Sequence, residues 1–147
     1  MNNLPFKKEQ NRMVNFRVYG NQENLKGNPI PYTRTTQGTK FTEKAMRYAA
    51  WKGHVVASYM DYIQGMEIID RSEFGDVHDF LSQKPINTGK KRIHMDINCY
   101  YVNDTHADSD NVFKGIADAL FVNDKYLSGS FTFEYSDTPR VDITLYI

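Results

Sequence analysis

The sequence predicts a single α+β domain in which a mixed β-sheet packs against two main helices. First, the chain has 147 residues, which is the usual length of one domain. Second, 40% of the residues are hydrophobic, 14% are aromatic and 24% are charged, as in a globular protein with its own core. Third, segments with strand and helix periodicity follow in the order β-α-β-α-β-β. We therefore treat residues 1–147 as one domain and expect residues 1–13 to form a flexible N-terminus.

The first half of the chain predicts a strand, a long loop and a helix. Residues 14–19 alternate apolar and polar side chains, which is the period of a half-buried strand. The next segment is rich in Gly, Pro, Asn and Thr, and its two prolines disfavour a helix. Residues 42–62 contain strong helix formers, with Thr42 as the expected N-cap. The apolar residues of this helix include Met46, Ala49, Ala50, Val56 and Met60, and the charged residues Lys44, Arg47 and Lys52 are expected on its exposed face.

The second half of the chain predicts three strands and a helix. Residues 61–91 connect the halves and show little periodicity, apart from a short helix near 74–82. Residues 92–102 alternate cleanly and predict the clearest strand. A helix of about ten residues follows, capped by Asp110 and carrying an apolar stripe at i, i+4 spacing. The last two predicted strands are residues 130–135 and 140–147.

Charge is divided unevenly along the chain, although the formal net charge is zero. Residues 1–60 hold ten Lys and Arg against three Glu, whereas residues 93–147 hold three Lys and Arg against nine Asp and Glu. A basic half can bind a polyanion while an acidic half holds a cation, so the division suits a metal-dependent enzyme that acts on nucleic acid. A chance distribution of charge gives the same counts, so only a specific site distinguishes the two explanations.

Cysteine content and hydropathy argue against several classes of protein. The single Cys99 allows neither an intramolecular disulfide nor a cysteine zinc cluster, which fits a reducing cytoplasm. The N-terminus has no apolar signal-peptide core, and no segment approaches the roughly 20 apolar residues of a membrane span. The sequence contains no glycine-rich nucleotide-binding motif, so no nucleotide cofactor is expected. We therefore expect a cytoplasmic protein without a membrane partner.

Two aspartates at the start of the last predicted helix form a candidate metal site. Asp108 and Asp110 are two residues apart, so on an extended backbone their carboxylates point the same way and can hold one hard cation. Mg²⁺ suits such a pair, because it prefers a few carboxylates together with water and phosphate oxygens. An EF-hand does not fit, since its third ligand position falls on Val112. The alternative is a capped loop in which Asp110 caps the helix and Asp108 is solvated.

A lysine on the same helix adds to this candidate site. Asp110, Lys114 and Asp118 follow one another at i, i+4 spacing, which puts the lysine one turn above the aspartates. A lysine beside a phosphate and a metal can stabilise the negative charge that develops during phosphodiester hydrolysis. The alternative is an ordinary helical salt bridge.

These residues resemble the signature of a known family. The run DSDNVFK at residues 108–114, followed by DAL at 118–120 and ND at 123–124, resembles the D-x-D-N-x-x-K … D-A-L … D-D pattern of RusA-like Holliday junction resolvases. Upstream, GNPIPYTR at residues 27–34 is similar to the G-x-P-x-P-K-x-R loop of that family. The resemblance covers roughly residues 14–60 and 92–147. Tyr32 stands where the family usually has Lys, and Asn123 stands where it has the first Asp of the final pair.

The resemblance implies a homodimeric, Mg²⁺-dependent endonuclease, with Mn²⁺ as a substitute metal. Such an enzyme binds four-way DNA junctions and nicks opposing strands symmetrically in DNA recombination and repair. It implies a bacterial or phage-encoded cytoplasmic protein, often carried by a prophage. By residue, it implies that Asp108, Asp110 and Asp124 hold the metal and act in catalysis with Lys114, that Asn111 and Asp118 support them, and that Arg34 and Lys40 contact DNA.

Two other functions and one geometric question stay open at this level. The chain could be a non-catalytic DNA-junction binding module or a metal-dependent phosphohydrolase of small nucleotides. A helix of about ten residues advances about 15 Å, so Asp124 leaves the metal site unless the chain doubles back or a dimer partner supplies it. Phe121, Phe131 and Phe133 could form the dimer contact or belong to the core.

Overall fold

The computed structural model describes residues 13–21, 24–36, 38–39, 41–64, 84–87 and 89–147. The N-terminal residues before 13, the predicted helix near 74–82 and Lys40 lie outside these ranges. Within them the elements follow in the order β-α-β-α-β-β. They are β1 (Met13–Tyr19), α1 (Glu43–Gln64), β2 (Ile93–Tyr101), α2 (Ser109–Leu120), β3 (Leu127–Tyr135) and β4 (Arg140–Tyr146).

The four strands form one mixed sheet with the order β1-β4-β2-β3. The central strand β4 pairs antiparallel with both β1 and β2, and Ile143 faces Phe16 on one side and Ile97 on the other. Strand β3 pairs with β2 in parallel, with Ile97 opposite Phe131. The α+β class with a mixed four-stranded sheet and two helices is therefore confirmed. The strand predicted at 130–135 begins three residues earlier, because Leu127 already pairs with Ile93.

Both helices pack on one face of the sheet. Alternate residues of β1, β2 and β4 are buried there, as the period of a half-buried strand requires. Thr42 precedes α1 as predicted, since its Oγ1 accepts a hydrogen bond from the backbone N–H of Ala45 at 3.2 Å. The buried residues of α1 are Ala45, Tyr48, Trp51, Val55, Tyr59, Met60 and Ile63.

The interpretation of the α1 apolar face was partly wrong. Met46 is 58% exposed and Ala49 is also exposed. The buried face instead follows the large rings of Tyr48 and Trp51 at i, i+3 spacing, because large rings bury the most apolar surface. None of the helices in the described part of the chain is long and apolar enough to cross a lipid bilayer.

Strand β3 is an edge strand that the helices cover poorly. All of its residues after Leu127 are exposed, including Phe131 at 48%, Phe133 at 51% and Tyr135 at 55%. Phe121, in contrast, is 2% exposed and belongs to the core. An uncovered edge that carries large aromatic side chains is a surface at which another chain can pair.

Candidate functional site

The aspartate pair lies at the N-terminus of α2. Asp108, and not Asp110 as predicted, is the N-cap residue, with φ −66° and ψ 142°. Its carbonyl oxygen accepts hydrogen bonds from the backbone N–H groups of Asn111 and Val112 at 3.1 and 3.2 Å. Asp110 lies in the first helical turn, so the pair belongs to a helix start and not to an extended segment. The Asp108 side chain makes no capping hydrogen bond, and both aspartates are exposed.

Buried contacts fix the position of this helix start. Val112, Ile116 and Leu120 are fully buried, which confirms the predicted apolar stripe. Ser109 Oγ is hydrogen-bonded to the Tyr101 hydroxyl at 3.0 Å in the interior. Burial raises the pKa of Tyr101, so the phenol stays protonated and can donate that bond. The end of β2 and the start of α2 are thereby held together.

The surroundings of Asp108 and Asp110 decide whether these carboxylates can accept a cation. Within the described residues, neither Asp108 nor Asp110 has an ion-pair partner, and the N-terminal dipole of α2 compensates only part of their charge. Carboxylate oxygens are the ligands that Mg²⁺ prefers, and Mg²⁺ usually takes only one or two of them beside water and phosphate. The donor type, number and exposure of this pair therefore fit a magnesium ion that binds together with a nucleic-acid phosphate.

Lys114 lies one turn further along α2 and does not pair with its neighbouring aspartates. Within the described ranges it makes no ion pair with Asp110 or Asp118, although both lie at i, i+4 spacing. Its Nζ instead lies 4.9 Å from the centre of the Tyr32 ring. The helical salt bridge is thus not formed, and the ammonium group stays available to an anion.

Asp118 faces α1 and belongs to a separate cluster. Its carboxylate accepts hydrogen bonds from the Tyr48 hydroxyl at 2.7 Å, from Lys52 Nζ at 3.3 Å and from Lys84 Nζ at 3.0 Å. Burial by itself would raise the pKa of Asp118, but these three donors outweigh it and hold the pKa below its usual value. The carboxylate therefore joins α1 and the segment 84–87 to α2, away from the aspartate pair.

The loop before α1 is fastened to α2 through Asn111. The backbone N–H of Tyr32 donates to the carbonyl oxygen of Asn111 at 2.9 Å. A Cβ at Gly115 would lie 3.2 Å from the Tyr32 nitrogen, so the small residue permits this close approach. Arg34 follows two residues later and is exposed. Lys40, the other predicted DNA contact, is outside the described residues.

Asn28 is a second anchor of this loop that sequence reasoning missed. Its Oδ1 accepts a hydrogen bond from the Val102 N–H at 2.7 Å, and its Nδ2 donates to Asn103 Oδ1 at 3.1 Å and to the Thr105 carbonyl at 3.0 Å. These contacts fix the segment that leads from β2 to Asp108. An asparagine inside a Gly-Pro motif is a signal for such a role, because one amide can bind several backbone groups.

An aromatic group next to Asp108 was also missed. The His106 ring stacks on Tyr101 with 3.7 Å between the centroids and an interplanar angle of 5°. The same ring lies 5.5 Å from Phe133, and its Nε2 is 3.2 Å from the Tyr135 hydroxyl. Only the pairing of β3 with β2 brings these residues together, so local sequence patterns could not reveal the group.

Asp124 lies at the other end of α2. The helix has 12 residues, which corresponds to about 18 Å, and Asp124 follows it in the loop before β3. Across the described ranges, no three or more His, Cys, Asp or Glu side chains lie together as a metal-binding group. Within one copy of the chain, Asp124 is therefore separated from Asp108 and Asp110 by the length of α2.

Comparison of the chain with protein-family models and with curated proteins found no match.

Proposed function

We propose that the protein is a Mg²⁺-dependent, structure-selective DNA endonuclease of the RusA-like kind that resolves four-way junctions by paired symmetrical nicks. The observation that carries this proposal is the exposed aspartate pair, Asp108 and Asp110, which has no ion-pair partner among the described residues and has Lys114 on the next helical turn. Mn²⁺ is expected to substitute for Mg²⁺, because both accept carboxylate and water ligands.

The residues of the site divide the chemistry among them. Asp108 and Asp110 would hold Mg²⁺, which supplies polarisation of the scissile phosphate and a hydroxide nucleophile when bound. The Lys114 ammonium offsets the negative charge that develops on the phosphate in the transition state. Arg34 is exposed on the loop fastened at Asn111, where it binds the DNA backbone without reading its sequence.

The aromatic group beside Asp108 favours branched DNA over intact duplex. Phe133 and Tyr135 are about half exposed on β3, next to His106. Exposed rings stack on bases that have lost their neighbours, and such bases occur at the centre of a four-way junction. The same rings find few partners along an intact duplex.

A homodimer completes the proposed metal site. Because β3 runs parallel to β2, its last residue Tyr135 lies beside Tyr101, whereas Asp124 precedes its first residue Leu127 at the opposite end. If the β3 edges of two copies pair antiparallel, each β3 start meets the β3 end of its partner. Asp124 of the second copy then lies at the end of the sheet that holds Tyr101 and Tyr135. The chain continues from Tyr101 at this end to Asp108.

The sequence of β3 suits such self-pairing. All nine residues pair only when Phe131 lies on the two-fold axis, which puts Phe133 opposite Gly129 and Ser130 opposite Thr132. In this register the polar residues Ser130 and Thr132 also meet one another. The unlike charges of Lys125 and Asp137 meet at both ends of the paired strands.

Cleavage of defined DNA structures tests the activity. An end-labelled four-way junction, a flap, a fork and a linear duplex are incubated with the protein in Mg²⁺, in Mn²⁺ and in EDTA. The proposal predicts paired nicks in the junction with either metal and none in EDTA. Binding without cleavage would instead support the junction-binding module, and hydrolysis of nucleotides alone would support a phosphohydrolase.

Mixing two inactive variants tests the shared site. If Asp124 acts in its partner's site, a mixture of Asp110→Asn and Asp124→Asn contains mixed dimers with one complete site, and single nicks return. If it acts in its own chain, each site keeps a defect and the mixture stays inactive. Light scattering on the same samples tests the dimer itself, and a mass of 17.1 kDa with and without DNA would contradict it.

A further inference from the structure

Lys114 lies on an aromatic ring although two carboxylates are within helical reach. Asp110 precedes it by four residues and Asp118 follows it by four, which is the spacing of helical ion pairs. Its Nζ is nevertheless 4.9 Å from the centre of the Tyr32 ring. A cation over the face of a tyrosine within about 6 Å is attracted by the ring quadrupole.

The surroundings explain why Lys114 does not turn to Asp118. Both carboxylate oxygens of Asp118 are already occupied, Oδ2 by Tyr48 and Lys52 and Oδ1 by Lys84. A third ammonium group there would meet two positive charges instead of a free carboxylate. The ion pair between Lys114 and Asp118 that helical spacing predicts is therefore disfavoured.

Two backbone contacts and one ring contact hold Tyr32 in place. The Tyr32 N–H is bonded to the Asn111 carbonyl at 2.9 Å, its backbone lies against Gly115, and its ring meets the Tyr48 ring edge-on at 5.5 Å. Tyr48 in turn donates its hydroxyl proton to Asp118. A chain of contacts thus runs from the neutralised carboxylate, through two rings, to the ammonium group.

We propose that Tyr32 is a positioning residue for Lys114. The ring holds the ammonium group, one helical turn after Asp110, without neutralising it, so its N–H donors stay free for a phosphate. A carboxylate partner would instead compete with the phosphate for the same donors. This inference rests on the proposed endonuclease function, and it gives a purpose to the position at which this chain departs from the usual lysine of the family loop.

Kinetics of Tyr32 variants give the first test. Tyr32→Phe keeps the ring and is expected to cleave within about twofold of wild type, whereas Tyr32→Leu is expected to lower kcat about fivefold with unchanged junction affinity. Tyr32→Met serves as a second variant without a ring. Tyr100→Leu is the matched control, because Tyr100 also carries a cation, Arg140, but faces the side of the sheet away from the helices. Equal losses in Tyr32→Phe and Tyr32→Leu, or a loss confined to affinity, would overturn the proposal.

Lysine side-chain NMR tests the contact without any cleavage. The ring current of Tyr32 should shift the ε-methylene protons of Lys114 upfield, and Lys114→Arg assigns the signal by removing it. The shift is expected to persist in Tyr32→Phe and to disappear in Tyr32→Leu. An unchanged signal in Tyr32→Leu would contradict the contact. If wild type cleaves no DNA, the proposed function and the catalytic purpose of Tyr32 both fail, while the spectrum still decides on the contact.

Discussion

The two ends of helix α2 carry carboxylates in opposite surroundings. At its C-terminal half, Asp118 is bound by Tyr48, Lys52 and Lys84. At its N-terminus, Asp108 and Asp110 are exposed and have no ion pair within the described residues. Both ends contain aspartates at helical spacing near Lys114. The surrounding residues therefore distinguish the two groups. Asp118 joins α1 to α2, whereas Asp108 and Asp110 are left exposed.

The two groups of aspartates differ in how many donors surround them and not in residue type. A carboxylate with three donors contributes to packing and offers little to a ligand. Asp108 and Asp110 are exposed and have no ion-pair partner among the described residues, so a cation could reach the proposed site.

The largest expected effect follows from removing one open carboxylate. Asp110→Asn should lower the rate of junction cleavage about a thousandfold, because a metal ligand accounts for several kcal/mol of transition-state stabilisation. Affinity for the junction should stay the same or rise, since one negative charge is lost. Gel-shift and cleavage assays on the same samples measure both quantities. Asp61→Asn, an exposed carboxylate on α1, is the matched control.

Removing the ammonium group beside the pair should have the next largest effect. Lys114→Met keeps much of the side-chain length but removes the charge, and we expect kcat to fall about a hundredfold. Single-turnover cleavage at saturating protein separates this loss from weaker binding. A variant that cleaves at the wild-type rate would show that Lys114 takes no part in cleavage.

Replacing Asp118, the carboxylate that is paired with two lysines, should affect stability and not cleavage. Asp118→Asn is expected to lower the free energy of unfolding by about 2 kcal/mol, because it weakens charge-assisted hydrogen bonds to three donors. Urea titration measures this change. Below the melting temperature the variant should cut junctions within about twofold of wild type, because the amide oxygen of asparagine still accepts the Tyr48 proton and leaves the Tyr32 ring in place. A large loss of cleavage in a folded Asp118→Asn protein would break the contrast between the two ends.

The stability supplied by Asp118 should depend on pH in a defined direction. Its pKa in the folded protein lies below its usual value of about 3.9, so the unfolded chain takes up a proton first as the pH falls. The contribution is fully present above about pH 4 to 5 and is lost as the pH falls through the folded-state pKa. The difference in unfolding free energy between wild type and Asp118→Asn should therefore shrink on acidification. A difference that grows towards low pH would contradict the assigned direction.

The smallest expected effect follows from removing the proposed contact between Arg34 and the DNA backbone. Arg34→Ala should weaken junction binding a few-fold and reduce the slope of log affinity against log salt by about 1, as for one lost phosphate contact. Fluorescence anisotropy at several salt concentrations measures the slope. The loss should be the same for different arm sequences, since a phosphate contact carries no base information.

Periodicity was enough to predict the elements that build the site. The alternation in β2 and the stripe of Val112, Ile116 and Leu120 each depend on neighbours a few residues apart, so the sequence displays them directly. The proposed site of Asp108, Asp110 and Lys114 is a prediction of the same kind, because these residues lie within one run of seven.

Contacts between distant segments could not be predicted from periodicity. Asp118 looked like a member of the site, and its true partners come from residues 48, 52 and 84. Tyr32 approaches Lys114 only because Gly115 admits the loop. The distance of Asp124 from Asp108 and Asp110 could be predicted from the length of α2. The direction of β3 could not, because it depends on the pairing of β3 with β2.

Binding of Mn²⁺ tests most directly whether the aspartate pair is open to a cation and Asp118 is not. Electron paramagnetic resonance of free Mn²⁺ gives the number of ions bound and their affinity in wild type, Asp110→Asn and Asp118→Asn. We predict equal binding in wild type and Asp118→Asn, and at least about tenfold weaker binding in Asp110→Asn. Equal binding in wild type and Asp110→Asn, or a loss in Asp118→Asn alone, would contradict the assignment of the metal site to the N-terminus of α2.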